Sequence, residues 1–450
     1  MLQRFAIPLL FAGSMLAGCG GAKPGTLEMG MGPSPELPEP RGSLIPVVQV
    51  APVAGWKEGA TPQAAPGIQA KLFAGGLDHP RWLHVLPNGD VLVAETNAPE
   101  RPQAVPGRKG IRGFFMKRAM AKAGAATPSA NRITLLRDAD GDGAAEQRAV
   151  FLSGLNSPFG MALVGNDFHV ANTDALVRFS YVEGATSING PGTKVTDLPA
   201  GPINHHWTKN VIASPDGRLL YVTVGSNSNV AEAGIDNEFE RASILEVDAQ
   251  SGKYRVYASG LRNPNGMAWE PVTSHLWVAV NERDELGHNL VPDYMTSVQE
   301  GGFYGWPYSY FGRHVDARIR PARPDLVATA LVPDYALGAH TASLGLAYSG
   351  ANALPPAFHN GMFVGQHGSW NRRPPSGYRV LFIPFRDGRP AGAPVEVLGG
   401  FLDGEGSARG RPVGLAFDRT GALLVADDVG NAIWRVTASG AAGTDDPPLD

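Results

Sequence analysis

Short apolar runs alternate with turn residues along most of the chain, in a unit that recurs. A Pro or Gly opens the unit and an apolar run follows. A turn containing Asp, Asn or Gly reverses the chain, and a second apolar run closes the unit. Copies run from Pro80 to Glu95, Pro158 to Asn172, Asn210 to Gly225, Pro264 to Val280 and Pro412 to Asp427; a further copy, Ala342 to Gly368, carries an insertion. Val, Leu and aromatic residues alternating or running together around a turn signal read as a β-hairpin. Six copies over about 370 residues leave roughly 60 residues each, room for four short strands. The pattern therefore predicts an all-β chain, a six-bladed β-propeller with four-stranded antiparallel blades. Uneven spacing of the copies leaves five and seven open as neighbouring counts.

The flanks read differently. Arg4 precedes an apolar stretch, Phe5 to Met15, which is too short to cross a bilayer as a mature helix and reads as a secretory signal. It ends Leu16-Ala17-Gly18-Cys19, which resembles the bacterial lipobox. That resemblance implies lipidation of Cys19 and a lipid-anchored protein at the cell envelope, facing the periplasm in a Gram-negative cell. An ordinary cleaved signal that contains a cysteine is the alternative. Residues 20–64 are rich in Gly and Pro and predict a flexible tether. The propeller is expected over 65–437, with a basic insertion at 98–131, and 438–450 read as a disordered tail.

Composition narrows the classes. The chain has 57 Gly and 38 Pro, and it is 43% hydrophobic against 18% charged. That is enough apolar material for a large core, with too much turn chemistry for a helical bundle. By length alone the 450 residues suggest three domains, but propellers of this size form single units. The formal net charge of −4 provides no basic field to gather phosphates, so no nucleic-acid partner is expected. A single cysteine excludes an intramolecular disulfide and a cysteine-rich zinc site.

Four clusters at the hairpin ends carry candidate chemistry. Asn204-His205-His206-Trp207 precedes the third unit, where a neutral imidazole can accept a proton near pH 7; blandly, the rings would only cap loop carbonyls. Arg262-Asn263 opens the fourth unit, offering a charged fork and an amide to a planar ligand with carboxylates and carbonyls, or simply holding a turn. Asn281 to Gly287 leaves that unit as an oxygen-rich loop that suits a hard cation, or as a solvated charged loop. Arg409-Gly410-Arg411 precedes the last unit, with Gly410 free to relax the backbone between its two arginines. Together they could hold an anionic cofactor.

In this order and at these positions, the clusters resemble the soluble quinoprotein glucose and sorbosone dehydrogenase family over about residues 65–437, nearest its sorbosone branch. The stretches Ser157 to Phe179, Phe303 to Gly312 and Gly365 to Val380 have the same character. The resemblance implies a propeller that binds pyrroloquinoline quinone (PQQ) and calcium at one end of its axis. It makes His206 the general base and places His205 against substrate. It assigns Arg262, Asn263, Arg409 and Arg411 to the cofactor. It puts calcium at Asp284 and Glu285, mainly through main-chain oxygens, although glucose-type members read Gly-Pro there. Those members also supply a lysine from the fifth blade, whereas this chain has no lysine after Lys253. Arg372 is the expected replacement, with Arg373 and His367 beside it. The implied reaction is oxidation of a sugar or a sugar-derived aldehyde or alcohol by hydride transfer to the quinone, with an external acceptor taking the electrons.

Two further stretches stand apart. Asp138 to Glu146 resembles a truncated calcium loop, and it also fits a hairpin turn, the preferred reading. Residues 101–132 hold eight Lys or Arg and no Asp or Glu, with a short helix expected from Ile111 to Ala126. It suits a membrane-facing helix or a flap over the propeller mouth. A non-catalytic propeller that binds a glycan or protein at the envelope is the rival to the dehydrogenase. Such a protein has no reason to keep His206, Arg262 with Asn263, and Arg409 with Arg411 together.

Overall fold

The computed structural model describes residues 26–41, 48–100, 118, 121–124, 127–350 and 352–440. Six four-stranded antiparallel sheets form a six-bladed β-propeller, as the hairpin repeat predicts. Numbered in chain order, the blades' inner strands are Pro80–Val85, Met161–Val164, Val211–Ala213, Pro264–Glu270, Ser343–Ser349 and Pro412–Phe417. Blade 6 is completed from the other end of the chain. Its outer strand is Ile68–Gly75, paired antiparallel to Ala432–Ala438. This closes the ring with main-chain hydrogen bonds and leaves no open sheet edge between first and last blades.

The inner strands approach one another too closely for side chains. A Cβ on Gly160 would lie 2.2 Å from Val211 N, one on Gly266 2.5 Å from Leu344 O, and one on Gly345 2.0 Å from Val413 O. Glycine is the residue that permits such contact. In blades 1, 4, 5 and 6 the register of the inner strand shifts at its start, between Pro80 and Trp82, Pro264 and Met267, Ser343 and Gly345, and Pro412 and Leu415. A bulge at this point bends the strand and re-aims the residues before it. Apolar clusters fill the space between adjacent blades. Phe363, Val380 and Phe382 of blade 5 pack with Leu423, Val425 and Trp434 of blade 6.

The segment predicted as a tether does not hang free where it is described. Met31–Gly32 adds a strand to Tyr335–Ala339 of blade 4, and Gln63–Ala64 adds one to Val395–Gly399 of blade 5. Between them, Gln49 bridges Asn371 and Val53 bridges Ala408, both in parallel, and Ala51 is buried. Main-chain pairing of this kind needs no apolar side chains, so a Gly- and Pro-rich composition conceals it. We call residues 49–56 the strap. Cys19, residues 42–47 and most of the basic insertion lie outside the described residues. The insertion's described residues 121–124 reach the strap, where Val53 N–H donates to Lys122 O at 3.0 Å.

Candidate active site

In an antiparallel blade each inner strand starts, and each second strand ends, at the same end of the propeller. The leading loops therefore bring His79, Asn204 to His206, Arg262 with Asn263, His340 and Arg411 together around the axis. The second strands deliver Ser226, Asn281 to Asp284, His367 and Asp428 to the same end. Four leading loops hold a non-glycine residue at positive φ: His79 (55°), Ser157 (43°), Asn204 (38°) and His340 (60°). Strained backbone of this kind persists where surrounding structure over-determines it, commonly at functional sites.

His206 is fixed from behind. Its Nδ1 lies 2.8 Å from Ser226 O and 3.0 Å from Ser226 Oγ. A carbonyl oxygen can only accept, so Nδ1 carries the proton and Nε2 keeps its lone pair. Burial first, then the neighbouring His205 and Arg262, hold its pKa well below 6.5, against the opposing Ser226 carbonyl. The ring is neutral at pH 7 and ready to accept a proton. His205 packs edge-on against it with centroids 4.4 Å apart. The loop is gripped by the buried Arg241, which donates to Gly225 O (2.9 Å), His206 O (2.9 Å), Pro199 O (2.8 Å), Ala200 O (3.0 Å) and Asn204 Oδ1 (3.3 Å). Sequence reasoning missed Arg241.

Asn263 stands against His206 across Gly225: a Cβ there would meet Asn263 Oδ1 at 2.3 Å and His206 Cβ at 2.5 Å. Asn263 Oδ1 is buried without a hydrogen-bond partner among the described residues. Arg262 is also buried and donates to Glu282 O (2.7 Å), Asn229 Oδ1 (3.0 Å) and Asn281 Oδ1 (3.2 Å). It faces Asp284 at 3.4 Å. Asp284 also contacts His340 Nδ1 (3.3 Å) and Asn371 Nδ2 (2.8 Å). Burial alone would raise its pKa, but the His340 bond and the Arg262 charge lower it below the ordinary carboxylate value.

A second cluster, from blades 1, 5 and 6, surrounds Asp428. His367 Nε2 (2.8 Å), Arg81 Nη1 (2.9 Å) and His79 Nε2 (3.4 Å) all face Asp428 Oδ2. Burial opposes ionisation of this carboxyl, yet His367, His79 and Arg81 hold it far below the ordinary range. Burial drives His79 down to about 4 and lowers His367 as well, so both rings are neutral at pH 7. Arg411 lies over the Tyr378 ring at 4.8 Å and donates from Nη2 to Ala51 O at 3.2 Å. His79, Arg81 and Asp428 were not singled out from the sequence. The signal was available: His79 precedes Pro80 as Asn263 precedes Pro264 and Arg411 precedes Pro412.

Several expectations differ from the arrangement. Arg372 is buried and spent on other partners: it donates to His288 O (2.9 Å), Pro374 O (2.9 Å) and Asn289 Oδ1 (3.1 Å). It holds a loop, whereas His367 stands beside Asp428. Asp284 is an ion-pair hub, and its main-chain oxygen already accepts from Arg318 Nη1 at 2.9 Å and Asn229 Nδ2 at 3.3 Å. Glu285 is exposed, with φ 73°. Arg409 is half-buried beside Asp403, while Arg411 turns inward, so the two do not share the single face that i and i+2 of an extended strand would. Residues 138–146 form the turn joining Arg132–Arg137 to Gln147–Leu152, as preferred. Its carboxylates accept turn N–H groups, Gly141 to Asp138 at 2.7 Å and Ala144 to Asp142 at 2.8 Å. The ligand oxygens of Asp138, Asp140, Asp142 and Glu146 also lie within 4.8 Å of one another.

The fit of an acidic quinone is tested by polar atoms left over. Buried polar atoms are almost always paired, and each exception asks for a reason. Arg81 Nε, Arg411 Nε, Asn263 Oδ1, Asn371 Oδ1 and Asp428 Oδ1 are buried and unpaired among the described residues, and their residues all belong to this end of the propeller. The two guanidinium Nε donors suit an anionic planar ligand, while the amide and carboxylate oxygens accept and call for donors on it. Asp284 fits a cation poorly, since its carbonyl and carboxylate already have donors.

These features define a six-bladed propeller with a histidine- and arginine-lined axial mouth. Residues 129–300 and 327–439 match the TrAA12-like family, and the chain belongs to it. An uncharacterized protein of Borreliella burgdorferi is 31% identical over 242 residues, covering 53% of this chain and 62% of that protein. The chain spans less than two thirds of the length of the curated relatives it matches. Among solved structures, the holo form of the pyranose dehydrogenase PQQ domain from Coprinopsis cinerea superposes with TM-score 0.67 at 20% identity, over 86% of this chain and 100% of that one. The calcium structure of Trichoderma reesei carbohydrate-active enzyme family AA12 superposes with TM-score 0.67 at 17% identity, over 88% and 100%. At these identities the likeness establishes the fold.

Proposed function

We propose that this chain is a PQQ-dependent dehydrogenase of sugars or sugar-derived aldehydes and alcohols, with His206 as its general base. One observation carries the reading. His206, its tautomer fixed by Ser226, faces Asn263 with its unpaired oxygen across Gly225, beside a buried Arg262. A glycan-binding propeller gains nothing from a buried neutral histidine set against cationic groups.

When bound, PQQ supplies a quinone that accepts hydride. His206 Nε2 takes the hydroxyl proton of an alcohol, hemiacetal or aldehyde hydrate as hydride leaves the adjacent carbon. His205 borders the substrate side of that ring. Asn263 would offer its amide, and Arg262, whose donors are all taken by Asn229, Asn281, Glu282 and Asp284, would act only as a fixed charge beside the base. Arg411, Arg81 and His367 would hold the carboxylates of such a cofactor, with Arg409 at the rim. Ser226 and Arg241 keep the base in place. Electrons then pass to an external acceptor. The family resemblance would put calcium at the 281–285 loop, where Asp284 fits a cation poorly, and no step is routed through it. Lipidation of Cys19 and an envelope location belong to the same reading.

The test is dye-linked oxidation of an aldose and aldehyde panel, sorbosone included, after adding PQQ with and without calcium. Turnover and saturable PQQ binding are expected, and His206→Ala should abolish turnover with PQQ still bound. Wild-type protein that neither binds PQQ nor turns over any panel member sinks the proposal. Unchanged turnover after exhaustive chelation removes calcium from it.

A further inference from the structure

The strap at residues 49–56 touches two loops of the cofactor side and little else of the mouth. At one end Gln49 N–H donates to Trp370 O at 2.8 Å, next to the loop that carries His367 and Arg372. At the other end it is laced to Ala408, three residues before Arg411. Ala408 N–H donates to Pro52 O at 2.7 Å, and Ala54 N–H donates to Ala408 O at 2.7 Å. Between these ties, Ala51 O accepts from the Arg411 guanidinium.

Trp56 ends the strap and reaches under the same arginine. Its Nε1 donates to Asp427 Oδ2 at 2.7 Å, and its ring packs edge-on against Phe401 (5.5 Å) and Trp434 (5.2 Å). Asp427 is fully buried, and its other oxygen accepts from Arg411 N–H at 2.7 Å and Gly430 N–H at 2.9 Å. One carboxylate thus joins the strap's indole to the main chain that sets Arg411. An ionised acceptor makes each of these bonds stronger than a neutral pair would be. Arg411 is held at its backbone by Asp427 and by Asp428 N–H, which donates to its carbonyl at 3.3 Å, across its face by Tyr378 and at its tip by Ala51. The strap supplies the last directly and reaches the first through Asp427, which Trp434 Nε1 also braces at 3.1 Å.

We propose that the strap is a wall of the cofactor cleft and that Trp56 is a positioning residue for Arg411, acting through Asp427. The proposal rests on the PQQ reading above. It makes cofactor affinity, and not the proton-transfer step, the quantity that the N-terminal segment controls. His206 stands on the blade 3 loop, which the strap does not touch in any bond described above.

The test uses the full chain and PQQ itself as probe. Equilibrium titration by intrinsic fluorescence gives the Kd for PQQ, dye-linked kinetics at saturating PQQ give kcat and the sugar KM, and calorimetry gives Tm. Trp56→Phe keeps an aromatic ring and deletes the donor. Ala54→Pro deletes the exposed N–H that ties the strap to Ala408 and leaves every cleft side chain in place, so it serves where Trp56→Phe does not fold. Each is expected to raise the Kd for PQQ by up to about tenfold, the upper end of what one lost hydrogen bond contributes. The sugar KM should stay within about twofold, since substrate meets the histidine side. A purely structural tryptophan would lower Tm and leave the Kd where it was; that outcome in both variants overturns the proposal while the PQQ reading stands. Wild-type protein that does not bind PQQ overturns both.

Discussion

Gly225→Ala tests whether the site is assembled where the strand of blade 3 ends. The added methyl would lie 2.3 Å from Asn263 Oδ1, 2.5 Å from His206 Cβ and 3.3 Å from Asn263 Cγ. Ordinary carbon contacts begin near 3.5 Å, so Asn263 and His206 must each retreat by about 1 Å. They cannot retreat freely, because Gly225 O accepts from Arg241 and Ser226 N–H donates to Arg262 O at 2.8 Å. Overpacking of this kind costs about 1–3 kcal/mol, which in a chain this size lowers Tm by only ~1–3 °C. Catalysis is more sensitive. A base displaced by ~1 Å loses roughly a hundredfold in rate, about 2.7 kcal/mol of transition-state stabilisation. The assay is kcat/KM in dye-linked oxidation at saturating PQQ, beside calorimetry. Gly190→Ala is the control, since a Cβ there meets nothing within 4 Å. A Gly225→Ala protein within threefold of wild type in kcat/KM would refute the convergence of His206 and Asn263 as the reacting centre.

Other expectations follow from the same geometry. Because burial and the charges of His205 and Arg262 hold His206 below 6.5, kcat/KM should be flat from pH 7.5 to 6.5 and fall only at more acid pH as Nε2 is protonated. Arg262→Gln removes one of the repelling charges and should move that acid limb to higher pH; a limb that stays in place contradicts the assignment. Arg241→Lys keeps the charge but cannot reach five acceptors at once, so thermal melting should fall by several degrees and kcat/KM by about 10–100-fold. Equal melting and activity to wild type would show that the loop is held otherwise. Burial raises the Asp427 carboxyl from 3.8 to about 6, with Trp56 and Trp434 opposing the rise. Its contribution to stability is therefore present below 3.8 and lost as pH rises through about 6. Trp56→Phe raises that pKa further, so its stability deficit should be about 1–2 kcal/mol larger at pH 7.5 than at pH 5. A deficit independent of pH would mean that the indole does not stabilise the ionised carboxylate.

Much of this was legible in the linear pattern, for a definable reason. A blade hairpin is local. Its apolar alternation, its turn and the glycine that lets neighbouring inner strands touch all lie within some 16 residues, so the repeat at Pro80, Pro158, Pro264 and Pro412 announced the propeller. The residue before the opening proline lies in a leading loop at the same end of the propeller each time, which put Asn263 and Arg411 within reach of sequence reasoning. The same rule marks His79, although a lone histidine carries no chemical signature by itself. Arg372 illustrates the converse. Its charge suited an anion, and only the packing of residues 288–289 against it showed that its donors were already used.

The sequence by itself determined the blade unit and the residue types available at its ends, because strand period and turn chemistry are short-range properties of the chain. Tertiary structure alone decided what closes the ring and what shares a site. Ile68–Gly75 joins Ala432–Ala438 across more than 350 residues, and the strap ties Trp56 to Asp427 across 371. Asp428 gathers partners from blades 1 and 5. Main-chain pairing accepts almost any residue, and a buried carboxylate attracts whichever cations the fold brings within range. Neither leaves a local trace in the chain, so the tether's Gly and Pro hid its pairing with blades 4 and 5.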